Sequence, residues 1–263
     1  MGDTEAMSGA RRLAFESMSF SYDAAAGAAP VLQDVDLTVG GDEFVVILGP
    51  SGCGKSTFLY LVAGLRKPSR GRVTLDGRDI AEPGPDRGMV FQAYTSLPWL
   101  TVRENVAFGL AIRGVASAEV ARRVERYIRL VNLSGSEDLY PDQLSGGMRQ
   151  RVAIARTLAN GPDILLMDEP FGALDAHTKS RIQEELVDVL AAEPKLVLFV
   201  THDIEEALFL GDRILLLSPR PARIVLDMAN PLERPRRPEA RFEPEFIRLR
   251  AGLLEKFRAL HGA

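Results

Sequence analysis

Cysteine is all but missing: Cys53 stands alone in 263 residues. No internal disulfide framework can brace the fold, and the chain suits a reducing cytoplasm. Long hydrophobic runs are missing as well. The strongest, Leu196–Val200 and Ile214–Leu217, are strand-length, far short of the ~18 apolar residues that a membrane-crossing helix needs. Nor is there an excess of positive charge. With 32 Lys and Arg against 36 Asp and Glu the formal net charge is −4, so the chain as a whole carries no electrostatic footprint for nucleic acid. The first residues include Asp3 and Glu5 and hold no apolar core, which argues against a signal peptide. What remains is ordinary globular usage, 46% apolar and 26% charged, in a chain long enough to bury a full core in one or two domains.

The most informative stretch is Gly49, Pro50, Ser51, Gly52, Cys53, Gly54, Lys55, Ser56 and Thr57. It satisfies the phosphate-loop spacing, a glycine and four residues before Gly-Lys-Ser. An apolar run, Phe44 to Leu48, precedes it as a buried strand would, and Phe58, Leu59, Leu61, Val62 and Leu65 follow at helical spacing up to Gly64 and Pro68. Glycines let the backbone curl with its N–H groups inward, and the helix start adds partial positive charge, so polyphosphate is held by main chain. Lys55 would reach the β- and γ-phosphates and the Ser56 hydroxyl would sit on Mg²⁺. Cys53 falls at a variable position of the loop with no chemical role of its own.

Around this loop the chain divides into a β-rich start, an α/β core, a helical region and a charged tail. Leu13–Phe20, Val35–Val39 and Arg72–Leu75 read as strands with turn signals such as Asp76-Gly77 between them, which predicts an antiparallel sheet beside the phosphate loop. Gly88–Phe91 reads as another short strand. Residues 93 to 160 are helical in character: Val120, Val124, Ile128 and Val131 form one apolar face, with Ser117 as the expected N-cap. Beyond Gly161-Pro162 come strands at Ile164–Met167, Leu196–Val200, Ile214–Leu217 and Arg223–Leu226, with a helix carrying Ile182, Leu186, Val189 and Leu190 between the first two. Strand–helix–strand alternation predicts a parallel sheet. The tail, residues 231–263, is proline-broken and charged and ends in a helix with Phe246, Leu249, Leu253, Leu254 and Phe257; it reads as a solvated extension strapped to the core.

Residues 144–151, Leu-Ser-Gly-Gly-Met-Arg-Gln-Arg, make a second glycine motif. Ser145 is a natural N-cap, and Gly146 and Gly147 expose bare N–H groups at a helix start, an anion site. Two glycines in a first turn cost helix stability and need a reason. Leu-Ser-Gly-Gly-x-x-Gln is the signature of ATP-binding cassettes, and the chain resembles that family from about residue 13 to 226, with every major motif in family order. Ile164 to Pro170 is similar to its second phosphate-site motif, in which Asp168 serves the Mg²⁺ shell and Glu169, at the strand tip, is the general base or orienter of the attacking water. Gln92 matches the glutamine loop that senses Mg²⁺ and γ-phosphate. Gly172 to Asp175 matches the loop that touches the opposing subunit, His202 the switch histidine, and Tyr22 the aromatic that stacks on adenine.

The resemblance implies an α/β fold: a P-loop NTPase, RecA-like core with an antiparallel β subdomain and an inserted α-helical subdomain at about 93–160, the whole ATPase domain spanning 11–230. It implies ATP and Mg²⁺ as cofactors, and a head-to-tail homodimer in which Ser145 and Gly147 of one subunit complete the site whose Lys55 belongs to the other. Leu97 to Val102, Met167 to Asp175 and Leu217 to Pro221 look like the corresponding segments of bacterial nitrate, sulfonate and taurine importers. That implies an energy-coupling subunit lying peripherally on the cytoplasmic side of the inner membrane. It would dock on integral membrane permease subunits near Gln92–Val102, serve a solute-binding protein indirectly, and bind no nucleic acid. The alternatives are a cassette of another membrane complex, for lipid handling or export, and a soluble cassette without a membrane partner. Many of the soluble kind carry two cassettes or a long coiled-coil insert; this chain has one of each motif and no heptad run.

Overall fold

A computed structural model describes residues 11–23, 29–93 and 95–260. Asp3, Glu5, the alanine-rich stretch after Asp23 and Tyr94 lie outside the described residues. The chain opens with two antiparallel strands, β1 (Arg12–Phe20) and β2 (Leu32–Gly40), and enters β3 (Phe44–Leu48) and helix α1 (Lys55–Val62). β4 (Arg70–Leu75) returns to pair with β1. At Asp76-Gly77 both residues take positive φ, 51° and 76°, which turns β5 (Arg78–Asp79) back along β4. The resulting antiparallel sheet has the order β2-β1-β4-β5.

Next come β6 (Arg87–Val90), helices α2 (Val102–Ile112), α3 (Ser117–Leu130) and α4 (Gly146–Ala159), β7 (Ile164–Asp168), α5 (Ala176–Ala192), β8 (Leu196–Thr201), α6 (Ile204–Leu210), β9 (Arg213–Leu217), β10 (Ile224–Ala229) and α7 (Pro244–Ala259). The second sheet runs β10-β9-β3-β8-β7-β6. Its neighbours are parallel as expected, except that β10 pairs antiparallel with β9 at the edge. Helices cover both faces at the centre of such a sheet, so the central strands β3, β7 and β8 are buried at every position.

Alternation along these strands creates two cores. Phe44, Val46, Leu48, Leu165, Met167, Val197 and Phe199 face the helices α2 to α6, while Val45, Ile47, Ile164, Leu166, Leu198 and Val200 face α1 and the antiparallel sheet. The α/β class, the phosphate-loop sheet, the antiparallel sheet and the helices inserted between β6 and β7 are those the sequence predicts.

Helix α3 departs from expectation at its start. Ser117 is not the N-cap. Ala116 occupies that position without a side-chain bond, because its carbonyl already accepts from Glu119 and Val120 at 2.9 and 3.0 Å. Of the expected apolar face, Val124, Ile128 and Val131 are buried together with Tyr127, and Val120 packs partly buried against the same core. The tail is anchored firmly: Phe246 and Leu253 of α7 enter the core, each burial worth about 1.5–3 kcal/mol.

Candidate nucleotide site

β3 delivers the chain into the glycine loop, whose backbone favours glycine at two points. Gly52 has φ 76°, and Gly54, the N-cap of α1, has φ 128°. A Cβ on Gly54 would also lie 2.9 Å from Val31 Cγ1 and 3.1 Å from Leu32 Cδ2. No side chain caps α1, so its first amides are left to face a ligand. Lys55 Nζ donates to the carbonyls of Gly49 and Pro50 at 2.9 and 3.1 Å and lies 3.4 Å from Glu169 Oε1. Next to it, Ser56 Oγ donates to Asp168 Oδ1 at 2.9 Å.

Two adjacent carboxylates diverge at the end of β7. Asp168 is the last strand residue and stays buried against Ser56. Burial raises its carboxyl above the ordinary range, the Ser56 bond opposing and the neighbouring Glu169 charge adding to the rise. Glu169 then takes φ 41°, a left-handed conformation held by its amide bond to Val200 O at 3.0 Å, at a cost of roughly 1–3 kcal/mol for a non-glycine residue. That turn swings its carboxylate between two side chains: Oε1 meets Lys55, and Oε2 lies 3.0 Å from His202 Nδ1, just past β8.

Tyr22, Lys55, Ser56, Gln92 and Glu169 line one open cleft of about 360 Å³, with Arg220 as a further wall residue. The Tyr22 ring is 56% exposed, stands edge-on to Phe20 at 4.9 Å and shares a 3.0 Å hydroxyl contact with Thr57. Gln92 is exposed two residues beyond β6. Cys53 is buried beneath the loop, and burial pushes its thiol up, so it packs rather than reacts.

Ser145, Gly146 and Gly147 are not brought to this cleft within the chain. Ser145 caps α4 by accepting from Met148 N at 3.3 Å, and Gly147 is pressed against α5. Asp175 caps α5 through Thr178 N at 3.0 Å, and Gly172 N bonds to Glu169 O at 3.1 Å. Trp99 is 69% exposed in the stretch before α2, with Leu97 and Leu100 partly covered.

Sequence reasoning singled out Leu217 to Pro221 only for its likeness to the importer segments and missed Arg220 as a wall of the cleft. It also missed α2, whose signal was present: Thr101 and Glu104 form a capping box, the Thr101 amide donating to Glu104 Oε2 at 2.8 Å. Among the described residues, no cluster of three or more His, Cys, Asp or Glu forms a metal centre, and no helix is long and apolar enough to cross a membrane.

A glycine loop opening onto a helix, a lysine beside it, and two carboxylates at the end of a parallel strand one place removed in the same sheet define a phosphate-loop nucleoside triphosphatase. The comparisons place it further. The family model described as ABC transporter matches residues 32–172. The chain is 50% identical to the taurine import ATP-binding protein TauB of Burkholderia pseudomallei over 214 residues, covering 81% of this chain and 82% of that one. It is 44% identical to the nitrate import ATP-binding protein NrtD of Synechococcus elongatus over 249 residues, covering 92% and 90%. Its fold matches a dimeric bacterial ABC transporter cassette with a TM-score of 0.73 and 33% identity, covering 84% of this chain and all of that one. A post-hydrolysis form of that cassette bound to ADP and Pi matches equally well, with a TM-score of 0.73. The chain belongs to the ABC transporter family, and it is an ATP-binding cassette ATPase.

Proposed function

We propose that this chain is the energy-coupling ATPase of an importer for a small anion such as taurine, another sulfonate or nitrate, working from the cytoplasmic face on separate permease subunits. The observation that carries the chemistry is Glu169 held between Lys55 and His202 at the cleft. In this reading the glycine loop and Lys55 bind the β- and γ-phosphates, and Tyr22 supports adenine. Glu169 takes a proton from, or orients, the attacking water. His202 contacts the γ-phosphate, and Gln92 reports its presence to the segment carrying Trp99. Ser56 and Asp168 place a hydroxyl and a carboxylate oxygen 2.9 Å apart beside Lys55, a hard donor pair that fits Mg²⁺ completed by phosphate and water. The ion would supply charge neutralisation on the phosphates. Ser145, Gly146 and Gly147, away from the cleft of their own chain, are positioned to complete the site of a second copy. Identities of 44–50% to taurine and nitrate import subunits support the importer reading.

The test is co-purification of membrane partners with the tagged chain, followed by ATPase assay of the complex in proteoliposomes. A solute-loaded binding protein is expected to stimulate hydrolysis. Glu169→Gln, which keeps shape but loses the base, should still bind ATP while turnover falls by about 10²-fold or more. Near-normal turnover would remove Glu169 from its role. Absence of any membrane partner would overturn the importer reading.

A further inference from the structure

A hydrogen-bonded chain runs from the C-terminal segment to the turn that carries His202. It begins at Arg241, in the 3-10 turn Pro238–Phe242 that precedes α7. Its guanidinium carbon lies 4.2 Å over the Phe209 ring, while Nη1 donates to Ser180 Oγ at 3.0 Å and Nη2 to Gln183 Oε1 at 2.7 Å. Gln183, buried on α5, passes the bond on: its Nε2 donates to Glu206 Oε1 at 3.1 Å. Glu206 is 4% exposed, and its other oxygen accepts from Thr201 Oγ1. Lys179 bridges Glu206 and Asp203 at 2.8 and 2.6 Å. Asp203 N donates to Thr201 Oγ1 at 3.0 Å, and Asp203 Oδ1 caps α6 through Glu205 N at 2.8 Å. Both neighbours of His202 in sequence are thereby pinned, while His202 itself spends Nδ1 on Glu169.

The direction of the chain depends on Arg241. A guanidinium has donors only, so its partner on Gln183 must be the carbonyl oxygen, and the NH₂ group is left facing Glu206. Without Arg241 the amide's orientation rests on its single bond to Glu206, its carbonyl loses its donor, and a flip would place that oxygen against a buried carboxylate. A buried carboxylate short of donors is costly and will seek others by moving. The groups bonded to that carboxylate, Lys179 and Thr201, move with it, and Asp203, which is held by both, moves with them.

We propose that Arg241 is a positioning residue for ATP hydrolysis, fixing the Thr201–Asp203 turn through Gln183 and Glu206 and so the placement of His202 against Glu169. This rests on His202 acting at the reacting end of the cleft. The C-terminal segment then belongs to the hydrolytic apparatus.

Arg241→Met in the full chain keeps an apolar stem over Phe209 and removes every donor. Its kcat is expected to fall about three- to thirtyfold, with KM for ATP within about twofold of wild type because the groups that bind nucleotide are untouched. Amide exchange should quicken in residues 201–206 and stay unchanged in 49–57. Gln183→Met should reproduce this profile, which covers the case in which one variant fails to fold. In single-turnover assays Arg241→Met should add no further loss to His202→Ala, since both act through one side chain. The proposal is overturned if kcat stays within about twofold of wild type, if exchange at 201–206 is unchanged, or if the losses multiply in the double variant. If His202→Ala alone leaves kcat intact, the role of His202 falls first and this proposal with it; a multiplicative loss on an impaired His202→Ala background refutes this proposal alone.

Discussion

Gly147 sits in the first turn of α4, where a side chain would meet the neighbouring helix. A Cβ there would lie 2.6 Å from Thr178 Cγ2 and 3.3 Å from Ile182 Cδ1 on α5. Thr178 is β-branched and helical, so its methyl has one other rotamer well to move to. Overpacking of this kind costs about 1–3 kcal/mol, and alanine's better helix propensity returns at most about 1 kcal/mol. Gly147→Ala is therefore expected to destabilise by about 1 kcal/mol. With a urea m-value near ~3 kcal/mol/M for a chain of this size, that is a midpoint shift of about 0.3 M. Thr178→Ser deletes the offending methyl while retaining the backbone amide that Asp175 accepts from. The double variant should regain the wild-type midpoint or exceed it, since Ile182 then becomes the nearest neighbour. Urea unfolding followed by circular dichroism of the four proteins decides the matter. A Gly147→Ala midpoint at or above wild type, or a double variant no better than Gly147→Ala, would show that contact with Thr178 does not demand glycine here.

Two further outcomes concern assembly. If each ATP lies between two copies, Lys55→Ala and Ser145→Arg proteins, each inactive alone, should recover ATP-dependent dimerisation on mixing, because the mixed dimer holds one intact site; gel filtration that shows no recovery would sink the shared-site arrangement. Trp99→Ala should weaken binding to the permease while sparing the isolated chain's ATPase, as measured by co-purification and phosphate release, and loss of ATPase with docking intact would make Trp99 a structural residue.

Much of this was legible because the signals were local. The buried run Phe44–Leu48 is a strand with those bounds, and the glycines that follow could only be a loop. Ser145 before two glycines is a cap because a short hydroxyl side chain satisfies a first-turn amide. Helix α2 was illegible by periodicity: Val102, Val106 and Leu110 are buried, but Phe108 and Ile112 are exposed, so apolar residues cover both faces. Helix α6, at seven residues, is too short for a period to register. The left-handed turn at Glu169 has no sequence signature, since glycine or asparagine would announce it and glutamate does not. The hydrogen-bonded path from Arg241 to Thr201 joins segments whose proximity only the folded chain reveals.

The strand that ends in the glycine loop belongs wholly to neither core. Phe44, Val46 and Leu48 are gripped from one side, Val45 and Ile47 from the other, and Val31 and Leu32, which abut Gly54, sit in the second of these clusters. The loop is thus suspended from both floors of the molecule at once. A methylene lost from the antiparallel layer and one lost from among the helices arrive at the same place, as slack in the grip on phosphate. By the same route, a defect in the loop has two independent reservoirs of repair. Leu198 and Phe199, adjacent on β8 and pointing opposite ways, are where each reservoir touches the strand beside it.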